Sequence, residues 1–218
     1  MRPAPRFITL EGGEGAGKST QLKLLAQALQ QERIATLITR EPGGSQGGER
    51  IRQLVVSGAA EEWSAVTESL LFMTARYDHI ERSIRPALLT GQWVLCDRFY
   101  DSTFVYQGIA KQVGTAWLDQ LYALLFGNIR PDLTLLLDLN PKHGLSRAEK
   151  RGNHIESRFE QMGLKYHQKI REGFLSLAER DTRIQVVDAS STVALVHEQI
   201  IAVINTRFGL ALQPAAGA

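Results

Sequence analysis

The chain is expected to adopt an α/β fold, a three-layer arrangement in which a five-stranded parallel sheet carries helices on both faces. Three observations lead there. Five short apolar, partly β-branched runs recur along 218 residues. Segments of helical periodicity separate each run from the next, the pattern of right-handed crossovers between parallel strands. A composition 44% hydrophobic and 22% charged fills one sizeable core, so residues 1–218 are read as one domain.

In chain order, the first strand covers residues 7–10 and the first helix about 18–32. The second strand, 35–39, is followed by helices over 47–57 and 67–90, the latter ended by Gly91. Residues 93–97 give the third strand, and a helix over 115–126 stops ahead of Pro131. The fourth strand is 133–139. Helices over 141–151 and 159–180 lead to the fifth strand, 183–187, and a helix over 192–208 closes the series. Active residues belong at the carboxyl ends of such strands. The tail, 210–218, is rich in Ala with Gly and Pro and is expected to fray.

A formal charge of +2 gives no reason to expect a polyanionic partner. The charge is uneven, however. Residues 142–171 hold eight basic and three acidic side chains, which leaves the remainder at −3. Such an arm suits a nucleic acid, a solvated helix face or a lid over phosphates; without interleaved aromatic residues it gives no sign of base stacking, and the nucleic-acid reading is set aside. One cysteine, Cys96, lies in the apolar run Trp93-Val94-Leu95-Cys96 and reads as a core thiol in a reducing compartment. No apolar stretch reaches the roughly 18 residues of a membrane span, so no membrane is expected and the chain is assigned to the cytoplasm.

The first strand runs into Glu11-Gly12-Gly13-Glu14-Gly15-Ala16-Gly17-Lys18-Ser19-Thr20, a full G-x-x-x-x-G-K-S phosphate loop between a strand and a helix. Glycines allow successive N–H groups to point inward, and the helix N-terminus adds positive potential. Lys18 would reach the β- and γ-phosphates of ATP and Ser19 a Mg²⁺ ion. Gly12, Gly13, Glu14, Gly15, Ala16, Gly17, Lys18, Ser19 and Thr20 are the candidate nucleotide cradle. A P-loop alone does not say which chemistry follows.

At the end of the third strand stand Asp97 and Arg98, a carboxylate and a guanidinium side by side. Asp97 suits Mg²⁺ or the orientation of an attacking phosphate oxygen, and Arg98 suits bidentate contact with a phosphate. Together with Arg40-Glu41-Pro42-Gly43-Gly44 and the stretch from Asp97 to Tyr106-Gln107-Gly108, the P-loop resembles that of bacterial thymidylate kinases, along nearly the whole chain.

The resemblance implies a P-loop NTPase-type sheet in the order 2-3-1-4-5, a basic lid at about 142–160, and a homodimer packed through helices. It implies transfer of the γ-phosphoryl group of ATP, with Mg²⁺, to thymidine monophosphate (dTMP). Glu14 would accept from the sugar 3′-hydroxyl, Arg40 would lie near the acceptor phosphate, and Pro42 would line the thymine pocket. Phe72 and Arg76, four apart on a helix, look like the stacking aromatic and the base-contacting arginine. Tyr106 resembles the ring that crowds the 2′ position, with Thr103 and Gln107 near the base. Some family members carry an arginine inside the P-loop where Gly15 stands here. The charge that stabilises the transferring group would then come from the basic arm, with Arg147, Arg151 and Arg158 as candidates. Another deoxynucleotide or deoxynucleoside kinase and, from a different class, a P-loop regulatory ATPase are the rival readings.

Overall fold

The computed structural model describes residues 3–59, 61–151 and 158–215. Its strands are β1 (Phe7–Glu11), β2 (Thr36–Arg40), β3 (Trp93–Asp97), β4 (Leu133–Asp138) and β5 (Ile184–Asp188). They form one parallel sheet in the expected order, β2-β3-β1-β4-β5. β1 is central, so its carboxyl end meets loops from both halves of the sheet.

Nine α-helices are described: α1 (Lys18–Gln31), α2 (Gln46–Val56), α3 (Ala65–His79), α4 (Arg85–Leu89), α5 (Tyr100–Thr103), α6 (Thr115–Phe126), α7 (Pro141–Arg151), α8 (Leu164–Arg180) and α9 (Val193–Phe208). A π-helical stretch, Ile80–Ile84, joins α3 to α4 without a break, so residues 65–89 correspond to the one long helix expected there. Ser45, Ser64 and Thr192 cap α2, α3 and α9 by accepting from the N–H three residues on.

Side-chain alternation along the strands divides the core. Ile8, Leu10, Leu95, Leu133, Leu135 and Leu137 face α1 and α9 through Leu22, Leu25, Leu29, Ile200 and Ile204. On the other face, Phe7, Val94 and Cys96 pack on Met73, Ile80, Ile84, Leu118 and Tyr122, while Leu136 and Ile184 pack on Val105, Ile170 and Phe174. A buried polar seam lies between these two groups: Thr9 and Thr134 hydroxyls are 2.6 Å apart, Thr134 donates to Asp101 at 3.1 Å, and Arg183 Nη2 donates to Asp101 Oδ1 at 2.8 Å. Every member has a partner, which offsets the cost of burying it.

Three expectations need correction. The segment after β3, given no element from sequence, is helical: α5 continues into a π-helical stretch, Phe104–Ala110. The helix expected from 159 begins only at Leu164, because Gly163 takes an extended backbone at its cap. The tail is docked as far as it is described. Leu212 and Ala215 are buried, Asn205 exchanges hydrogen bonds with the Leu212 backbone, and Ala215 N–H donates to His197 Nε2; residues 216–218 lie outside the described residues. Among the described residues no helix is long and apolar enough to cross a membrane.

Candidate active site

The P-loop leaves β1 at the sheet's centre and ends at the first residue of α1. Gly12 has φ 135°, and a Cβ there would lie 2.5 Å from Leu137 O of β4. Gly15 has φ 68°, and a Cβ would lie 2.0 Å from Gly144 O of α7. The loop tip is therefore pressed on α7, which leaves position 15 no room for an arginine. Lys18 Nζ donates to Gly12 O (3.2 Å) and Gly13 O (2.8 Å) of its own loop. Burial, then the neighbouring Arg98, push its pKa down to about 8. Asp97, Glu14 and Glu11 offset part of that push, and a bound phosphate would add to them. Ser19 donates to Asp97 Oδ2 at 2.6 Å, setting two hard oxygen ligands together at the loop's edge.

Arg98 adopts a left-handed backbone, φ 67°, a strained conformation for a residue with a Cβ. Its surroundings hold it there: its N–H donates to Leu10 O at 2.9 Å, and the buried Cys96 thiol donates to its carbonyl. Next in sequence, Phe99 N–H donates to Glu11 Oε1 at 2.7 Å. The guanidinium consequently turns over the P-loop, giving Nη1 to Gly12 O (2.9 Å) and Nη2 to Glu14 Oε1 (2.8 Å). Tyr106 OH donates to the same Glu14 oxygen at 3.1 Å. Burial raises the Glu14 pKa, but Arg98, Lys18 and Tyr106 outweigh it and hold the carboxyl at about 2.

Glu11 behaves oppositely. It is fully buried, and burial followed by repulsion from Asp101 lifts its pKa from 4.5 to about 7. A raised carboxyl pKa means that the folded state binds more protons than the unfolded one between those values. Stability linked to Glu11 should therefore fall as pH rises from about 4.5 to about 7. Chemical denaturation at pH 5 and pH 8 should show the parent losing up to about 3 kcal/mol more than Glu11→Gln over that interval. Equal losses would remove Glu11 as the cause.

On the β2 and β3 side, α3 supplies Phe72, packed on Val55, Val56 and Phe159, and Arg76, which meets the loop after β2 and the helix after β3. Arg76 is buried: Nε donates to Glu41 Oε2 at 2.6 Å, Nη2 to Thr103 Oγ1 at 3.0 Å, and its guanidinium lies 5.1 Å from the Phe99 ring centre. Arg40 is half exposed and paired with Glu49, while Arg52 donates to Pro42 O at 2.8 Å. Gln107 turns inward beside Thr103 and donates to Glu68 at 2.8 Å.

On the β4 and β5 side, Arg147 of α7 donates to Ala189 O in the turn after β5. Arg158 departs from the expectation of a lid cation near the phosphates. Its buried side chain bonds Ala59 O and Val55 O and faces Glu68 Oε2 at 2.6 Å, because an interior carboxylate on α3 needs a countercharge. It does not line the cavity described next. The Arg151 side chain and residues 152–157, most of the central part of the expected lid, lie outside the described residues.

One cavity of about 990 Å³ unites these groups. Lys18, Ser19, Asp97, Arg98 and Glu14 line its middle. Arg40, Pro42, Phe72, Arg76, Thr103, Tyr106 and Gln107 line one end, and Arg147, Ala189, Ser191, Thr192 and Val193 the other. Of the P-loop candidates, Glu14, Gly15, Ala16, Gly17, Lys18, Ser19 and Thr20 line it, with Gly12 and Gly13 meeting Lys18 from below. An anion cradle flanked by two compartments can hold a phosphorylated donor and a phosphorylated acceptor end to end. Sequence reasoning passed over Glu41, Arg52, Glu68 and Phe159. Glu41 stood inside a quoted motif, but nothing in the sequence tied Arg52 and Phe159 to the cavity or Glu68 to the residues behind it.

Comparisons with known proteins agree with this arrangement. The thymidylate kinase family model matches residues 10–200. A thymidylate kinase of Magnetococcus marinus is 48% identical over 204 residues, 93% of this chain and 97% of that protein. One of Caulobacter vibrioides is 49% identical over 205 residues, covering 94% and 98%. The crystal structure of thymidylate kinase from Ehrlichia chaffeensis superposes with a TM-score of 0.75 at 29% identity, covering 93% of this chain and all of that one. With a matching family model over most of its length, full-length relatives near half identity and the same fold in a solved structure, the chain belongs to the thymidylate kinase family.

Proposed function

We infer that the protein transfers the γ-phosphoryl group of ATP to thymidine 5′-monophosphate, giving dTDP and ADP and so feeding dTTP synthesis. The observation that carries this is the continuity of the P-loop with an acceptor compartment in which Arg98 and Glu14 are already paired at the junction. A hydrolase that uses water would have no need of the aromatic and amide lining beyond them.

In this reading the P-loop N–H groups and Lys18 hold the donor phosphates, and Arg98, with Arg40, holds the acceptor phosphate in line. Glu14 takes the sugar 3′-hydroxyl and Tyr106 crowds the 2′ position. Phe72 stacks on the base, whose edge meets Arg76, Thr103 and Gln107 beside Pro42. Arg147, and Arg151 one turn further along α7, supply positive charge to the transferring group, which passes to the acceptor oxygen without a covalent enzyme intermediate. Ser19 and Asp97, hydrogen-bonded to each other, would hold a Mg²⁺ ion, which would neutralise the phosphate oxygens. A set of two suits that ion, which keeps much of its water.

ADP release should be measured with dTMP, dUMP, dCMP, their ribose forms, thymidine and no acceptor. Selective stimulation by dTMP is expected. Acceptor-independent hydrolysis, or preference for an unphosphorylated nucleoside, would overturn the reading.

A homodimer in the cytoplasm completes the proposal. Val66, Leu70 and Tyr77 of α3 and Trp117, Leu124 and Leu125 of α6 are exposed, and Tyr77 meets Phe126 across the two helices. Such a contiguous apolar face suits a second copy of the chain. Sedimentation should give a dimer that Leu124→Glu converts to monomer; a monomeric parent at micromolar concentration would remove the assignment.

A further inference from the structure

Four polar side chains converge behind the acceptor end of the cavity. Glu68 of α3 is fully buried. Its Oε2 accepts from Lys111 Nζ at 2.7 Å and faces Arg158 Nη1 at 2.6 Å, while its Oε1 accepts from Gln107 Nε2 at 2.8 Å. A carboxylate between two cations has no proton to donate, so Gln107 must turn its NH₂ group toward Glu68. The other end of that amide is then committed as well. Gln107 Oε1 takes no hydrogen bond from a described residue and is not sealed from the cavity that Gln107 lines.

We propose that Glu68 is a specificity-determining positioning residue, locking the Gln107 amide with its oxygen toward the acceptor base. The pocket then reads a ring N–H donor and rejects a ring nitrogen lone pair. This rests on the thymidylate reading above. Thymine and uracil present such a donor at N3, whereas cytosine presents a lone pair there and an amino group where Arg76 offers only donors. An unrestrained glutamine would turn its terminal amide over and serve either base, since that torsion is broad and roughly two-fold. Discrimination therefore comes from the carboxylate behind the glutamine, because a site with fixed polar groups rejects a ligand that leaves them unpaired. Arg158 acquires a role here too: anchored on the Ala59 and Val55 carbonyls, it holds Glu68 in place.

The test compares kcat/KM for dTMP and dCMP, with Kd by calorimetry where turnover is too slow, in the parent, Glu68→Gln, Glu68→Asp and Lys111→Met. In Glu68→Gln the new carbonyl turns to Arg158 and Lys111, and its NH₂ faces Gln107, which turns over in response. The dTMP to dCMP preference should then fall about tenfold or more. Lys111→Met leaves the Glu68 to Gln107 bond in place and should keep the parental preference. N3-methyl-dTMP, which has no N–H to give, should be rejected by the parent. A folded Glu68→Gln with parental preference, or a parent that accepts N3-methyl-dTMP as readily as dTMP, would overturn the proposal. Should Glu68→Gln not fold, Glu68→Asp, which keeps the charge but falls short of Gln107, carries the same expectation. The N3-methyl comparison needs no variant, and acceptance of that analogue would overturn the proposal by itself if neither folds. A parent without dTMP-stimulated turnover would instead strike the underlying reading.

Discussion

Replacing Lys18 with alanine should lower kcat by about three orders of magnitude or more while leaving the melting temperature unchanged or raised. The two halves of that expectation share one cause. Lys18 is an ammonium in a buried loop, and burial, then the neighbouring Arg98, push its pKa down to about 8, so the fold disfavours its charge. Its hydrogen bonds go to the carbonyls of Gly12 and Gly13, and the cost of burying the ammonium offsets its attraction to Glu14, so its removal costs the fold little. Charge builds on the phosphoryl oxygens during transfer, and there the ammonium has its largest effect, on turnover more than on acceptor affinity. Steady-state kinetics with thermal melting of both proteins provides the check. A variant with near-parental kcat would end the assignment, and one that lost both activity and melting temperature would show Lys18 to be structural.

Arg98→Ala should differ from Lys18→Ala by harming both function and stability. A loss of about 10² to 10³ in kcat/KM for dTMP is expected, through KM as well as kcat, because the guanidinium would hold the acceptor phosphate before and during transfer. Stability should fall too, since Arg98 is the leading group that depresses the Glu14 pKa to about 2. For a depressed carboxyl, the linked stability is present above pH 4.5 and lost as pH falls through about 2. At neutral pH the variant forfeits part of that contribution, at most about 3 kcal/mol. Denaturation curves at pH 7 and kinetics over a range of dTMP concentrations test the two halves separately. Unchanged affinity and turnover for dTMP would remove Arg98 from the acceptor site.

The three central strands were legible because a strand covered on both faces must be apolar nearly throughout, as Trp93-Val94-Leu95-Cys96 is, and the two edge strands by their short β-branched runs between helices. The P-loop was legible because its demands are local: glycines where φ is positive, and Lys18 at the first turn of the following helix. Tyr100–Ala110 was not, since its helix is short, passes into a π-helical stretch and carries polar residues on its inner side for the cavity rather than for solvent. The tail escaped for a related reason. Leu212 and Ala215 are held by Asn205 and His197, partners too far along the chain for periodicity to register.

By itself, then, the sequence determined the sheet, the phosphate cradle and the family, because each depends on neighbours within a few residues or on motifs in a set order. Only the tertiary structure decided which charges act together. Arg158 looked like a lid cation, yet a carboxylate 90 residues earlier claims it. Glu41 is the partner of Arg76, Gly144 the reason position 15 is glycine, and Glu68 the group behind Gln107. A buried charge is satisfied by whatever lies within about 3 Å of it in space, and the folded chain alone decides what that is.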